Sequence, residues 1–140
     1  MHRRRFAQLL ALAPLAQAAT AGAQGPRHRV AMLGVAHAHA AGKLAALRAL
    51  PERFEVVGVA EADPALRAAA QRSRSYDGLA WRTEAEWLAD PTVAAVAVET
   101  TLADSTPTAL RALRAGKHVH LDKPGGLDHE TFAAMRREAE

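Results

Sequence analysis

Arg29-Val30-Ala31-Met32-Leu33-Gly34 is a short apolar run that ends in glycine, and its reading decides the fold. A run of this length and character fits a strand buried on both faces of a parallel sheet. Gly34-Val35-Ala36-His37-Ala38-His39 follows as a turn. Ala40 to Leu50 then places Ala40, Leu44 and Leu47 at helical spacing and stops before Pro51. Strand, turn and helix make a first βα unit.

Downstream the pattern repeats. Phe54 to Ala60 reads as a second strand closed by Glu61, and Asp63 with Pro64 suits a helix start with proline in the first turn. Ser73 to Trp81 is irregular, with room for a short third strand. Thr83 and Glu86 form a capping box before a brief helix holding Trp87 and Leu88, which Asp90-Pro91 ends. Val93 to Val98 is apolar and β-branched enough for a central strand. Thr106 as N-cap and Pro107 at the first helical position predict a helix through Leu110 and Leu113 to a stop at Gly116. His118 to Leu121 is the last strand, Asp122 to Gly126 a loop, and Asp128 or Thr131 opens a helix running into Glu140. Strands alternating with helices predict an α/β fold with a doubly wound parallel sheet, a Rossmann domain with right-handed crossovers.

Upstream, residues 1–23 divide into a basic start, an apolar stretch from Phe6 to Ala19 and a small-residue end at Ala21-Gly22-Ala23, with cleavage expected after Ala23. Arg3-Arg4-Arg5-Phe6 reads R-R-x-F, a twin-arginine export signature, with Ala7 where leucine is usual. Because the apolar stretch contains Pro14 and falls well short of the roughly 20 residues a spanning helix needs, no stable membrane insertion is expected. Residues 24–140 are then a single domain acting in the periplasm or outside the cell.

Arg3, Arg4 and Arg5 account for the whole formal net charge of +3, so the remaining domain is neutral. That balance, with only 4% aromatic residues, argues against nucleic acid as a partner. The absence of cysteine excludes disulfides, thiolate zinc sites and cysteine nucleophiles.

The turn after the first strand of such a fold receives a pyrophosphate, because backbone N–H groups and the positive end of the next helix point there. Gly34 keeps the first glycine of G-x-G-x-x-G, Ala36 replaces the second and His39 the third. His37 stands beside the phosphate. Glu61 is placed to accept hydrogen bonds from the ribose hydroxyls of an adenosine and to repel a 2′-phosphate. With Ala62 next and no arginine directly after, the cofactor expected is NAD, with NADP as the lesser possibility. His37, His39, His118 and His120 form two H-x-H pairs near one sheet edge. Zinc needs three or four ligands from fixed directions, so no metal is assigned. Asp63, Glu84, Glu86 and Asp90 are read as capping or surface groups, and Trp81 and Trp87 as core or domain-interface residues.

Ala115-Gly116-Lys117-His118-Val119-His120-Leu121-Asp122-Lys123-Pro124 resembles the A-G-K-H-V-x-x-E-K-P signature of the glucose–fructose oxidoreductase, inositol dehydrogenase and MocA family, with Asp122 in place of glutamate. The resemblance extends over the whole domain, since the Gly34 turn, Glu61 and the Val93 to Val98 strand follow in the family's order. It implies a two-domain enzyme whose second α/β domain, supplying much of the substrate site, lies outside this chain. It also implies hydride transfer on sugar- or cyclitol-like hydroxyls. Lys123 would be the catalytic cation beside the nicotinamide and the substrate hydroxyl, Pro124 would shape its loop, and Thr100 and Asp122 would lie on the cofactor side. The family's T-P-N-x-x-H is met here by Thr100, Thr101, Leu102 and Ser105. Two other functions fit the altered turn: a non-catalytic nucleotide- or ligand-binding module, and an NAD-assisted glycosidase. The chain alone is expected not to turn over substrate, and any homo-oligomer would form through the second domain.

Overall fold

The computed structural model describes residues 25–140; the expected leader at residues 1–23 lies outside them. Strand β1 (His28–Leu33) runs through the centre, paired in parallel with β2 (Phe54–Ala60) on one side and β4 (Ala95–Val98) on the other. β3 (Ala80–Trp81) extends the sheet beyond β2 and β5 (His118–Leu121) beyond β4, giving the order β3-β2-β1-β4-β5.

Alternation along β1 explains why helices cover both faces. Ala31 and Leu33 join one cluster with Val96, Val98, Ala109 and Ala112, whereas Met32 joins another with Ala40, Leu44, Val59 and Tyr76. A strand whose successive side chains are all buried must be roofed on both sides. Helix α1 (Ala40–Arg48) covers one face and α4 (Leu102–Arg114) the other. α2 (Pro64–Gln71) packs with α1's face through Ala70, α3 (Glu84–Ala89) sends Trp87 into the opposite cluster, and α5 (His129–Ala139) lies along α4.

The expected helix starts at Asp63-Pro64 and Thr83-Glu86 are found. Asp63 accepts from the Ala65 and Leu66 amides, and Thr83 and Glu86 close a reciprocal capping box. Asp128, rather than Thr131, caps α5 by accepting the Thr131 amide at 2.6 Å.

One start is corrected. α4 opens at Leu102, with Thr101 as N-cap, so Thr106 is not a cap and Pro107 lies inside the helix. Thr101 accepts the Asp104 amide at 3.3 Å and its hydroxyl donates to the Asp104 carboxylate at 2.6 Å, a local pair that starts the helix five residues earlier. The cost of Pro107 is one missing N–H within the helix. Thr106 instead donates to the Gly125 carbonyl at 2.6 Å and ties α4 to the loop after β5. β4 is also shorter than expected, since Val93 is buried below it while the Ala94 amide bonds to the Arg29 carbonyl.

Lys117 has a structural reason for its place before β5. It is buried, and its ammonium donates to the Asp90 and Val93 carbonyls at 2.7 and 3.0 Å. Gly58 has another. β2 carries an extra residue opposite β1, between the Val30–Val56 and Ala31–Gly58 pairs, and Gly58 then lies under the Trp87 ring. An added Cβ there would stand 2.1 Å from Trp87 Cζ2 and 2.4 Å from the Ala80 carbonyl oxygen. Gly58→Ala is therefore expected to destabilise the domain by about 1–3 kcal/mol, as overpacked cores do, seen as a lower urea midpoint followed by tryptophan fluorescence.

Candidate dinucleotide-binding site

The chain leaves β1 in one direction to build β2 and β3, then returns to the other side of β1 for β4 and β5. Ligands of open α/β sheets bind where the carboxyl ends of strands diverge in this way. Here that point lies between the ends of β1 and β4.

Gly34 follows β1 with φ +90°, a conformation that L side chains rarely adopt. Its amide donates to the Ala60 carbonyl at 2.7 Å, and a Cβ built on it would lie 2.7 Å from the N, Cα and Cγ2 atoms of Thr100. The turn is thus pressed directly onto the end of β4. Two further bonds hold it: the Glu99 amide to the Leu33 carbonyl at 2.8 Å, and the His37 amide to the Glu99 carbonyl at 2.9 Å.

Glu61, at the end of β2, is not a solvated charge. Its Oε2 accepts the Val35 amide and its Oε1 the Asp63 amide, both at 2.9 Å, so one carboxylate joins the turn after β1 to the start of α2. A carboxylate offers about four lone-pair sites, and two amides leave acceptor capacity for hydroxyls.

Gly34, Ala36, Glu61 and Thr100 line one cleft of about 610 Å³. That volume is in the range, roughly 300–1,000 Å³, of small-molecule and cofactor sites. Arg67, Arg82 and Arg111 line it too. The sequence shows no arginine directly after Glu61, yet the fold brings Arg67 from α2 and Arg82 from the end of β3 to the same cleft. Arg82 stacks over Trp87 at 4.6 Å and Arg67 over Trp81 at 5.8 Å, while Arg111 grips Glu84 at 2.6 and 3.0 Å. Glu84, read as a surface group, thereby fixes part of the cleft wall.

His39, in place of the third glycine, does not push the helix from the sheet. It is the N-cap of α1 without a side-chain cap bond, and its ring reaches outward to Asp122 at 3.0 Å. Ala40 and Leu44 make the close helix–sheet contact instead.

His37 and Asp122 belong to an adjoining cluster at the same sheet edge. His37 Nδ1 lies 3.4 Å from Glu99 Oε2 and 4.0 Å from Asp122 Oδ2, and Lys43 Nζ lies 3.8 Å from Asp122. The Asp122 carboxyl is held at about 2, chiefly by the Lys123 amide, then by the His39 ring and Lys43. Glu99, which sequence reasoning passed over, is fully buried; burial, and then the charge of Asp122, push its carboxyl up. The one sequence signal for it is an acid closing the most apolar strand. Lys123 and Pro124 are exposed in the loop after β5, joined by a cis peptide, and do not line the cleft.

A glycine turn laid on the switch point and an acid closing the second strand define a dinucleotide-binding Rossmann domain. Residues 28–140 match the family described as "Oxidoreductase family, NAD-binding Rossmann fold" (GFO_IDH_MocA), and the chain belongs to that family. NAD(P) is accordingly its cofactor class. Similar solved structures include an NAD-binding protein from Listeria innocua (27% identity, TM-score 0.70), covering 81% of this chain and 32% of that one. KijD10, a 3-ketoreductase from Actinomadura kijaniata in complex with TDP-benzene and NADP, is 29% identical (TM-score 0.62; 81% and 36% covered). The WlbA dehydrogenase from Bordetella pertussis, in complex with NADH and UDP-GlcNAcA, shares the fold at 20% identity (TM-score 0.70; 81% and 34% covered). The chain spans about a third of the length of these proteins. No curated protein matches it.

The cradle that only glycine fits at position 34, and the acid beside it, suit a dinucleotide. Gly34→Ala, strained in φ and blocked by Thr100, is expected to lower stability by about 1–3 kcal/mol and to lose NAD binding. Thermal melts with and without NAD check both effects.

Proposed function

We propose that this chain is the cofactor-binding part of an oxidoreductase that transfers hydride between a nicotinamide and a hydroxyl-bearing carbon of a sugar- or cyclitol-like substrate. The observation that carries this reading is the junction of Gly34, Thr100 and Glu61 around one cleft at the β1/β4 switch point. The sugar-nucleotide ligand in the WlbA complex supports the substrate class.

The Gly34 turn and the start of α1 would hold the pyrophosphate, and Glu61 the adenosine ribose hydroxyls. The bound nicotinamide would supply or accept the hydride. Lys123, at the mouth of β5, would hold the substrate hydroxyl and favour its deprotonation, because a nearby cation stabilises the developing alkoxide. Glu61 favours NAD, since its charge opposes a 2′-phosphate. Arg67 and Arg82 oppose that preference only in part, each being stacked on a tryptophan.

Calorimetry with NAD and NADP tests the reading. Glu61→Ala is expected to weaken NAD about tenfold, roughly 1.4 kcal/mol, and to weaken NADP less. No binding of either nucleotide at millimolar concentration would sink the proposal and leave a module for some other ligand.

Export belongs to the same proposal: residues 1–23 carry the folded, cofactor-loaded protein out through the twin-arginine route. The mature protein should then begin at Gln24 by mass spectrometry. Replacing Arg3 and Arg4 with lysine should hold it in the cytoplasm with its leader intact.

A further inference from the structure

We propose that Glu99, His120 and Asp122 form a binding site for one divalent transition-metal ion, of the zinc type, with His39 supporting Asp122 from outside. The three come from two segments: the end of β4, and β5 with the residue that follows it. His118 and His120 face the same side of β5, and only His120 reaches the cluster. The fold supplies the other ligands.

The buried carboxylate is the strongest reason. Glu99 is fully buried, and neither of its oxygens has a hydrogen-bond partner among the described residues. A buried ionised carboxylate is tolerated when it is paired or coordinates a metal. Lys43 lies against Asp122, and Glu99 keeps no hydrogen-bonded partner of its own among the described residues.

The neighbouring histidines have other roles. His37 Nδ1 accepts the His39 amide at 3.2 Å, which takes up its one in-plane lone pair, so this nitrogen is not a ligand. It cannot then donate to Glu99 Oε2, 3.4 Å away, and the buried carboxylate is left without a donor there. His39 Nδ1 bonds to Asp122 Oδ2 at 3.0 Å and must donate, which is the outer support that ligating carboxylates take.

Spacing agrees with coordination. Bonds of about 2.0–2.2 Å to a tetrahedral ion put neighbouring ligand atoms roughly 3.4 Å apart. Ligand atoms of Glu99, His120 and Asp122 all lie within 4.8 Å of one another. One imidazole with two carboxylates and an open position for water suits zinc and its neighbours better than magnesium, which prefers all-oxygen sites. The site shares the sheet edge with the dinucleotide cleft but does not rest on dinucleotide binding.

Calorimetry on the full 140-residue chain, untagged and stripped with EDTA, tests the proposal with Zn²⁺, using Mg²⁺ for comparison. One Zn²⁺ per chain is expected, with Mg²⁺ weaker by at least about a hundredfold. Glu99→Gln and His120→Ala should each weaken Zn²⁺ by at least about a hundredfold, since losing even an outer partner costs 10- to 100-fold. His118→Ala, two residues earlier on the same face of β5 and outside the cluster, should leave it unchanged. Glu99→Gln also removes an unpaired buried charge, so the metal-free variant should melt no lower than the parent; this separates a lost ligand from a lost fold. Absence of stoichiometric zinc uptake overturns the proposal. So does uptake that survives Glu99→Gln, because the ion would then sit on exposed histidines such as His118 or His129.

Discussion

The contact between Gly34 and Thr100 is the constraint on which the rest of the site depends. A turn leaving β1 must cross the end of β4 with no room for a side chain, and Gly34 meets that demand with a positive φ and no Cβ. The crossing fixes where α1 begins, and so where its first amides point. It also lets the Glu99 and His37 amides close the seam between the two strands. The crevice is a consequence of sheet topology, and glycine is what keeps it narrow.

Glu61 acts on the same turn from the other side. By accepting amides from Val35 and Asp63, its carboxylate holds the turn to the start of α2. It builds the cleft in the free chain, and its spare lone pairs suit the ribose contact proposed above. This accounts for a site formed with one glycine of the usual three. Ala36 lines the cleft without closing it, and His39 turns its ring to Asp122 while Ala40 and Leu44 pack against the sheet.

Most of the fold was legible because its signals are local. The apolar run of β1, the Asp63-Pro64 start and the Thr83-Glu86 box need only neighbouring residues to be read. Thr106-Pro107 misled for the same reason: the pair is a good helix start in isolation, but Thr101 with Asp104 is a better one five residues earlier. Non-local placement was not legible. Nothing near Glu61 announces Arg67 and Arg82, which arrive from α2 and the end of β3. Nothing near His37 announces Glu99, which lies 62 positions on and meets it only because β1 and β4 are neighbours.

The two halves of this sheet edge differ in how their charges are held. In the cleft beside β2, Arg67 and Arg82 stack on Trp81 and Trp87, Arg111 is gripped by Glu84, and Glu61, Asp63 and Asp104 share the lining, so the carboxylates offset the arginines. Beyond β4 the acceptors dominate, with Glu99 and Asp122 set among histidines and, among the described residues, Lys43 as the nearby fixed cation. An anionic phosphate is therefore disfavoured at the β4–β5 half, and the amides of the Gly34 turn, between the two halves, are the groups suited to receive it. The strand order leaves the β5 end to the part of a ligand that carries no negative charge.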